Sequence, residues 1–258
     1  MDTILNIALV QSPLIWEDPE RNRHFFSERI DTIQKEVDLI VLPEMFHTGF
    51  TMDPQHIEHI EGAKTLDWML DISQTKKAAL VGSIPFYEHG HHTNRLFFVK
   101  PNGNYSWYDK RHTFTLAGED KVYQAGKEKL IVNYKGFKIC PLICYDLRFP
   151  VWARNSGDYE VLLYVANWPR PRITAWDTLL KARAIENMSY CIGVNRVGTD
   201  GVGHEYPGHS SVYDALGEQL VFSKEETILY TILSQVHIQS SRSKLKFLED
   251  RDNFNLIV

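Results

Sequence analysis

Apolar strand-forming segments alternate with amphipathic helical segments along this chain, and this alternation restricts the possible folds more than any other feature. Residues 161–167 are almost continuously apolar, which is typical of a strand covered on both faces. Residues 175–188 place Trp176 and Leu180 on one apolar stripe and predict a helix. Other strands are joined by short hairpin turns, as at Asn102-Gly103-Asn104. The pattern predicts an α/β protein with mixed strand direction, and we expect two sheets covered by helices.

The remaining predicted elements extend over the whole length of the chain. Helical spacing predicts helices at 21–35 and 64–77 and in the polar C-terminal tail. Strands are predicted at 4–11, 38–42, 78–86, 96–100, 105–110, 130–134, 137–143, 189–195, 211–213, 219–223 and 227–233. No Gly/Ser-rich linker or internal repeat divides the chain, so we expect a single domain over 1–258. Gln11-Ser12-Pro13 follows the first strand where a dinucleotide-binding unit would carry glycines, which excludes a plain Rossmann unit.

Composition and charge exclude several classes of partner. The chain has 28 basic and 33 acidic residues, a net charge of -5, which argues against binding to nucleic acid. Its three cysteines form no disulfide framework and indicate a reducing compartment. The start of the chain lacks the basic region of a signal peptide, and no apolar run reaches the roughly 18 residues of a membrane helix. We therefore expect a cytoplasmic protein with no membrane partner.

One cysteine occupies a position that suits a nucleophile. Cys144 follows the predicted strand 137–143 and precedes a polar segment, so its sulfur could face a pocket at a turn with backbone amides beside it. A lone cysteine at a strand end is more often a core residue, and we expect that role for Cys140 and Cys191. The catalytic interpretation of Cys144 therefore requires a base and an oxyanion partner elsewhere in the chain.

Two further strand ends carry residues of the required chemistry. Glu44 follows the predicted strand 38–42, and its apolar neighbours are surroundings in which a carboxylate could serve as a general base. Lys110 ends the predicted strand 105–110, where a fixed ammonium could stabilise negative charge on a carbonyl oxygen. Taken singly, each residue would more often be an ordinary surface charge.

Together these segments resemble the nitrilase superfamily of carbon–nitrogen hydrolases over nearly the whole chain. The stretches that match, in order, are the first strand with Gln11, then LPEMF, YDKRH, CYDLRFP, ANWP, KARAIEN, NRVG and GHS. The combination of YDKRH, CYDLRFP and ANWP is most similar to the ω-amidase branch, which includes bacterial enzymes that act on 2-oxoglutaramate. The resemblance implies an α-β-β-α sandwich of two mixed sheets flanked by helices, a homodimer or higher homo-oligomer, and no cofactor or metal.

The resemblance also implies roles for individual residues. Glu44 would be the general base, Lys110 the oxyanion stabiliser and Cys144 the nucleophile that forms a thioester, with the backbone N–H of Tyr145 as a second oxyanion donor. The family often has a further glutamate after the lysine. Glu119 is the best match, although its local sequence departs from the family pattern and Asp120 remains an alternative.

Substrate recognition is expected in the loop that follows the strand 161–167. A short dicarboxylic monoamide needs a cation for its distal carboxylate, and Arg170 and Arg172 are candidates beside Trp168. Solvent-facing positions for both arginines are the alternative. Arg148 is expected to hold a structural carboxylate near the nucleophile instead.

The remaining histidines of note and Trp176 are expected to have structural roles. His89, His91 and His92 lie at a predicted hairpin tip with no ligands to complete a metal site, so no metal is expected there. His112 is expected to position the loop after Lys110, and Trp176 to pack in the core or at a subunit contact.

The function expected from these residues is a thiol amidase that hydrolyses the terminal amide of a short dicarboxylic monoamide such as 2-oxoglutaramate. Another hydrolase of the superfamily, acting on a different small amide, an N-carbamoyl compound or a nitrile, is the first alternative. A non-catalytic binding protein on the same fold is the second. The presence of all three residues of the Glu–Lys–Cys set argues against this second alternative.

Overall fold

The computed structural model of the protein describes residues 2–256. Its helices are α1 Pro19–Asp31, α2 Ile60–Lys76, α3 Pro150–Ala153, α4 Ile173–Asn187 and α5 Gln235–Leu245. Its strands are β1 Ile4–Gln11, β2 Leu39–Val41, β3 Ala79–Glu88, β4 His91–Val99, β5 Tyr105–Asp109, β6 Val132–Tyr134, β7 Phe137–Ile143, β8 Val161–Ala166, β9 Tyr190–Asn195, β10 Val197–Thr199, β11 Glu205–Pro207, β12 Ser210–Tyr213, β13 Gln219–Ser223 and β14 Thr227–Ser234. The predicted strands and helices are thus present, with shifts at several boundaries.

Twelve of these strands form two six-stranded sheets of mixed direction. The first sheet has the order β14-β1-β2-β3-β4-β5 and the second has the order β13-β12-β9-β8-β7-β6. In each sheet the three central strands run parallel, β1-β2-β3 in one and β7-β8-β9 in the other. The outer strands pair antiparallel with their neighbours. The carboxyl ends of the parallel strands are where ligands bind in open α/β sheets, so this topology indicates where a site can form.

The side chains of the first sheet alternate between two apolar layers, as the period of a strand requires. Leu5, Ile7 and Leu9 of β1 pack towards the second sheet, in one cluster with its strands. Ala8 and Val10 face the opposite way and pack in a separate cluster with residues of α1 and α2. The first sheet therefore lies between a helical layer and the second sheet.

Helix α4 covers the outer face of the second sheet. Gly193 of β9 provides the close approach, because a Cβ atom there would lie 2.4 Å from Leu180 and 2.7 Å from the ring of Trp176. Trp176 is fully buried, as expected for a packing residue, and so are the core thiols Cys140 and Cys191. Full burial of a large apolar side chain such as that of Leu180 stabilises the fold by about 1.5–3 kcal/mol. The α-β-β-α sandwich expected from the sequence is confirmed.

Helix capping and strand pairing explain two of the boundary shifts. Helix α1 begins at Pro19 because the Asp18 carboxylate accepts a hydrogen bond from the backbone N–H of Arg21 at 3.0 Å, and proline suits the first turn. Strand β4 begins five residues before the predicted start, because His91–Val99 pairs with β3 along its whole length. The segment after β9 forms a further element, the short antiparallel hairpin of β10 and β11.

The histidine-rich turn joins β3 to β4 and is tight. His89 and Gly90 both have positive φ, 51° and 89°, as a two-residue hairpin turn requires. Within residues 2–256, no group of three or more His, Cys, Asp or Glu side chains is placed to hold a metal ion. In the same range, no helix is both long enough and apolar enough to cross a membrane.

A buried histidine makes the stability of the fold depend on pH. The His47 side chain is 1% exposed. Burial, together with the nearby charge of Arg23, lowers its pKa from 6.5 to about 3, although Glu61 opposes this change. The folded protein therefore holds His47 neutral at a pH where the unfolded chain protonates it.

We expect the free energy of unfolding to be greatest above pH 6.5 and to fall as the pH falls towards about 3, where folded His47 also becomes protonated. Each unit of pKa difference corresponds to about 1.4 kcal/mol, so the loss from this residue amounts to a few kcal/mol. Urea unfolding between about pH 4 and pH 8 measures it. His47→Phe should flatten the dependence, whereas His24→Gln, at an exposed position on α1, should behave as the unmodified protein does. A His47→Phe profile as steep as that of the unmodified protein would exclude this assignment.

Candidate active site

Three strand ends bring a glutamate, a lysine and a cysteine together between the two sheets. Glu44 follows β2 and Lys110 follows β5 in the first sheet, whereas Cys144 follows β7 in the second. The Lys110 Nζ lies 2.8 Å from Glu44 Oε1. Glu44 and Lys110 are almost completely buried, and Cys144 is 9% exposed. The ends of strands far apart in the sequence thus form one polar cluster inside an apolar core.

A second glutamate completes the cluster. Glu119 lies in a short 3₁₀ segment after Lys110, and both of its carboxylate oxygens accept from Lys110 Nζ, at 3.0 and 2.9 Å. The backbone N–H of Phe114 donates to the same carboxylate at 2.5 Å. Asp120, the alternative left open by the sequence, is exposed. The structure therefore brings Glu119, and not Asp120, to Lys110.

Two asparagines that the sequence analysis did not assign to the site hold the glutamates in place. Asn94 Nδ2 donates to Glu44 Oε1 at 2.8 Å and to Glu119 Oε1 at 3.1 Å. The backbone N–H of Asn167 donates to Glu44 Oε2 at 2.8 Å, and its side chain donates to the Glu44 carbonyl at 2.6 Å. Asn167 lies within the ANWP stretch, which could have suggested it. Asn94 precedes the predicted start of its strand, and its sequence neighbours carry no comparable signal.

Burial and charge set the protonation states of the cluster. Burial alone would lower the pKa of Lys110, but the charges of Glu119, Glu44 and Cys144 outweigh it and raise that pKa above its ordinary value. Burial raises the pKa of Glu119, and the Lys110 charge opposes this effect. Burial and the charge of Glu44 raise the pKa of Cys144 well above its ordinary value. The resting cluster therefore holds Lys110 as an ammonium and Cys144 as a neutral thiol.

The turn that carries Cys144 is held by one buried carboxylate. Cys144 has a φ of 42° and begins a 3₁₀ segment, Cys144–Arg148. Asp146 Oδ2 accepts from the backbone N–H of Ile143 at 3.0 Å and from the Tyr108 hydroxyl at 2.7 Å. Asp146 Oδ1 lies 2.8 Å from His112 Nδ1 and accepts from the His112 backbone N–H at 3.0 Å. His112 therefore has the positioning contacts expected of it, and these act through Asp146.

A cavity of about 650 Å³ opens beside Cys144. Lys110, Tyr145 and Trp168 line it, as do Arg172 and Arg148. The Arg172 guanidinium lies over the ring of Phe114, 5.0 Å from its centroid, and that of Arg148 lies at the same distance over the ring of Trp168. The cavity is therefore large enough for a small organic substrate, and its wall carries two arginines besides Lys110.

The structure places the other predicted arginine elsewhere. Arg170 does not line this cavity, and its Nε donates to Glu205 Oε2 at 2.8 Å at the surface, where both side chains are 62% exposed. The expected contact between Arg170 and the substrate is thus not supported by its position. Arg148 also departs from expectation, because within residues 2–256 its guanidinium makes no ion pair with a carboxylate, and it lies over an aromatic ring.

The acidic residues of the cavity wall have their own partners. The Asp200 carboxylate accepts from the Tyr206 hydroxyl at 2.8 Å, and that of Asp53 lies 2.7 Å from His56 Nδ1. The Glu17 carboxylate accepts from the hydroxyl of Thr51. Arg148 and Arg172 have no such partner in the described part of the chain, so they are the charges in the wall that remain available to a ligand.

An α-β-β-α sandwich with a buried glutamate, lysine and cysteine at its strand ends defines the class of thiol hydrolases that act on carbon–nitrogen bonds. Comparison with known families agrees with this class, because the model described as carbon–nitrogen hydrolase matches residues 6–243. The chain therefore belongs to the carbon–nitrogen hydrolase family and is an enzyme that hydrolyses amides.

Individual relatives indicate the branch of the family. The omega-amidase YafV of Yersinia enterocolitica is 43% identical over 255 residues, which cover 98% of this chain and 99% of the relative. The 2-oxoglutaramate amidase of Bacillus subtilis is 30% identical over 241 residues, with 91% and 92% covered. The crystal structure of XC1258 from Xanthomonas campestris, a CN-hydrolase superfamily protein with an arsenic adduct in its active site, has a TM-score of 0.95 at 38% identity and covers 99% of both chains. The chain is thus similar to bacterial omega-amidases over nearly its whole length.

Proposed function

We propose that the protein is an ω-amidase that hydrolyses the terminal amide of a short dicarboxylic monoamide such as 2-oxoglutaramate. The observation that carries this proposal is a neutral thiol, beside Glu44 and Lys110, that opens to a cavity with two arginines in its wall. Within residues 2–256 neither arginine has a carboxylate partner. Arg172 is the residue we assign to the distal carboxylate, because a guanidinium binds a carboxylate through two parallel hydrogen bonds. Arg148 can contribute a second cationic contact, and Trp168 supports its guanidinium. The names of the relatives point to the same class of substrate.

In the proposed acylation step, Glu44 removes the proton of the Cys144 thiol as the sulfur attacks the amide carbonyl carbon. The ammonium of Lys110 and the backbone N–H of Tyr145 stabilise the negative charge on the carbonyl oxygen. The tetrahedral intermediate then collapses, the carbon–nitrogen bond breaks, and Glu44 returns its proton to the leaving nitrogen. Ammonia leaves, and a thioester remains on Cys144.

In the proposed deacylation step, Glu44 takes a proton from a water molecule that attacks the thioester carbonyl. The carbon–sulfur bond breaks, the sulfur recovers its proton and the carboxylic acid is released. Glu119 stays bonded to Lys110 throughout and keeps the ammonium in position. No step needs a metal or an organic cofactor.

The two arginines of the 3₁₀ segment Arg170–Arg172 provide a matched test of the substrate. We expect Arg172→Met to raise KM for 2-oxoglutaramate by about 10- to 100-fold, because a hydrogen bond to a charged group contributes about 1.5–3 kcal/mol. The same variant should hydrolyse a neutral short amide such as butyramide as the unmodified enzyme does. Arg170→Met should change KM less than about threefold, because it loses only an exposed ion pair. Ammonia release measured with both amides gives these values.

Two results would contradict the proposal. An equal loss on both amides in Arg172→Met would mean that Arg172 supports the fold and does not bind the carboxylate. Turnover of nitriles or N-carbamoyl compounds by the unmodified enzyme in preference to 2-oxoglutaramate would instead favour another hydrolase of the family.

A further inference from the structure

Asn94 is the side chain that joins the two buried glutamates. It lies on β4 opposite Pro85 of β3 and is 1% exposed. Its Nδ2 donates to Oε1 of both Glu44 and Glu119, and its backbone carbonyl accepts from the backbone N–H of Lys110 at 3.0 Å. Asn94 does not line the cavity. Any effect it has on the reaction must therefore pass through the cluster and not through contact with the substrate.

The orientation of the Asn94 amide follows from its surroundings. An asparagine amide has two N–H donors on one side and an acceptor oxygen on the other. Rotating the amide would place its oxygen against two carboxylate oxygens, an arrangement that is electrostatically unfavourable. Both N–H groups therefore point towards the glutamates, so that each carboxylate receives one.

Counting hydrogen bonds distinguishes the two oxygens of Glu44. Oε1 accepts from Lys110 Nζ at 2.8 Å and from Asn94 Nδ2 at 2.8 Å. Oε2 accepts from the backbone N–H of Asn167 at 2.8 Å, and within residues 2–256 it has no second donor of this kind. Because each carboxylate oxygen has two lone pairs in its plane, Oε1 is saturated and Oε2 retains one free position.

The Cys144 thiol and the free oxygen of Glu44 share one neighbouring residue, Asn167. Asn167, whose N–H binds Oε2, also presents its backbone carbonyl oxygen 3.9 Å from Cys144 Sγ. The same residue therefore contacts both the unsaturated carboxylate oxygen and the sulfur. Contact between the thiol and the Glu44 carboxylate also contributes to the raised pKa of Cys144.

We propose that Asn94 is a positioning residue that saturates Glu44 Oε1 and thereby leaves Oε2 as the atom that takes the Cys144 proton. In this step the S–H bond breaks, an O–H bond forms at Oε2, and the sulfur electron pair forms the C–S bond. When the C–N bond breaks, the proton on Oε2 passes to the nitrogen. The proposal rests on the proposed function and assigns Asn94 the further task of holding Glu119 in the same arrangement.

Asn94 also affects the charge balance of the cluster. Its amide is bonded to Glu44 and Glu119 and its carbonyl to the backbone of Lys110. The charges of the same cluster also act on Cys144 and on Tyr123. Two carboxylates share one ammonium, so the neutral donor of Asn94 supports their ionised forms. Loss of that donor should make protonation of the pair easier.

The test uses Asn94→Leu, which has nearly the same volume but no donor, together with Asn94→Ser, which keeps one. In Asn94→Leu we expect kcat to fall about 10- to 100-fold with KM for 2-oxoglutaramate nearly unchanged, because the loss lies in the chemical step. The acid limb of its pH–rate profile should move up by about one pH unit. Asn94→Ser should recover part of both effects, and it keeps the test possible if Asn94→Leu does not fold.

Thr93→Val is the matched control, because Thr93 is the buried neighbour of Asn94 on β4 and points to the opposite face. It should keep the kcat and the pH profile of the unmodified enzyme. A fall of kcat in Asn94→Leu without movement of the acid limb would overturn the proposal, as would a rise of KM that matches the loss of rate.

The pH dependence of the rate at which iodoacetamide alkylates Cys144 provides a second measurement that needs no amide substrate. The acid limb of this profile should move to higher pH in Asn94→Leu, because alkylation also requires Glu44 to accept the thiol proton. If the unmodified enzyme hydrolyses no ω-amide, the proposed function fails while this measurement still decides the role of Asn94. An unchanged alkylation profile in both Asn94 variants would overturn that role.

Discussion

Replacing Cys144 by alanine is expected to lower amide turnover by at least about 10⁴-fold, the scale of loss when a catalytic nucleophile is removed. Neither Glu44 nor Lys110 can form the acyl intermediate in its place, so only the binding energy and the oxyanion donors remain. Ammonia release from 2-oxoglutaramate measures the loss. The fold should survive, because the side chain is small and the turn remains held by Asp146.

The two other cysteines provide the control for this variant. Burial raises the pKa of Cys140 to about 12 and raises that of Cys191 further, and both thiols lie in the core. Iodoacetamide should modify Cys144 alone in the folded protein, because Cys144 lines the cavity whereas the two core thiols are fully buried away from it. Mass spectrometry should then find no adduct on Cys144→Ala. Cys191→Ala should keep the catalytic rate while losing some stability. Amidase activity retained by Cys144→Ala would exclude Cys144 as the nucleophile.

Much of the site could be predicted because its residues follow recognisable strands. Glu44 and Cys144 come just after apolar segments and Lys110 ends a predicted strand, and the ends of such strands meet in an α/β protein. A polar segment follows Cys144 at once, which marks the end of the β-forming run. Position alone did not group these three side chains; the ordered resemblance to the nitrilase superfamily did so before their distances were known.

The remaining parts of the site depend on contacts between segments that are distant in the sequence. Asn94 reaches Glu44 across 50 positions, and no property of its neighbours distinguishes it from any polar residue of a strand. Arg170 and Arg172 are the same residue type in the same short segment. In the structure Arg172 lines the cavity, whereas Arg170 pairs with Glu205 of β11 at the surface. The direction of a side chain in a short 3₁₀ segment depends on such tertiary contacts, which a single sequence does not specify.

Replacing Lys110 by methionine is expected to impair both catalysis and stability. Loss of one oxyanion donor should reduce kcat by about 10²- to 10³-fold. Methionine has a similar length but leaves Glu44 and Glu119 buried without their counter-charge. Breaking a buried ion pair by removing one partner costs about 3–5 kcal/mol, and urea unfolding should show a loss of that order. The loss should be smaller at acidic pH, because protonation of Glu119, whose pKa is already raised, relieves the repulsion between the carboxylates.

A double variant separates the two effects. Lys110→Met combined with Glu119→Gln leaves one buried carboxylate in place of two, so it should recover much of the lost stability without recovering activity. Lys129→Met is the matched control, because Lys129 is partly buried over the ring of Trp152 and donates to a backbone carbonyl, with no carboxylate bonded to it. It should keep nearly full activity. If the double variant regained turnover together with stability, Lys110 would act only as a counter-ion, and the stabilisation of the oxyanion would have to come from the backbone at Tyr145.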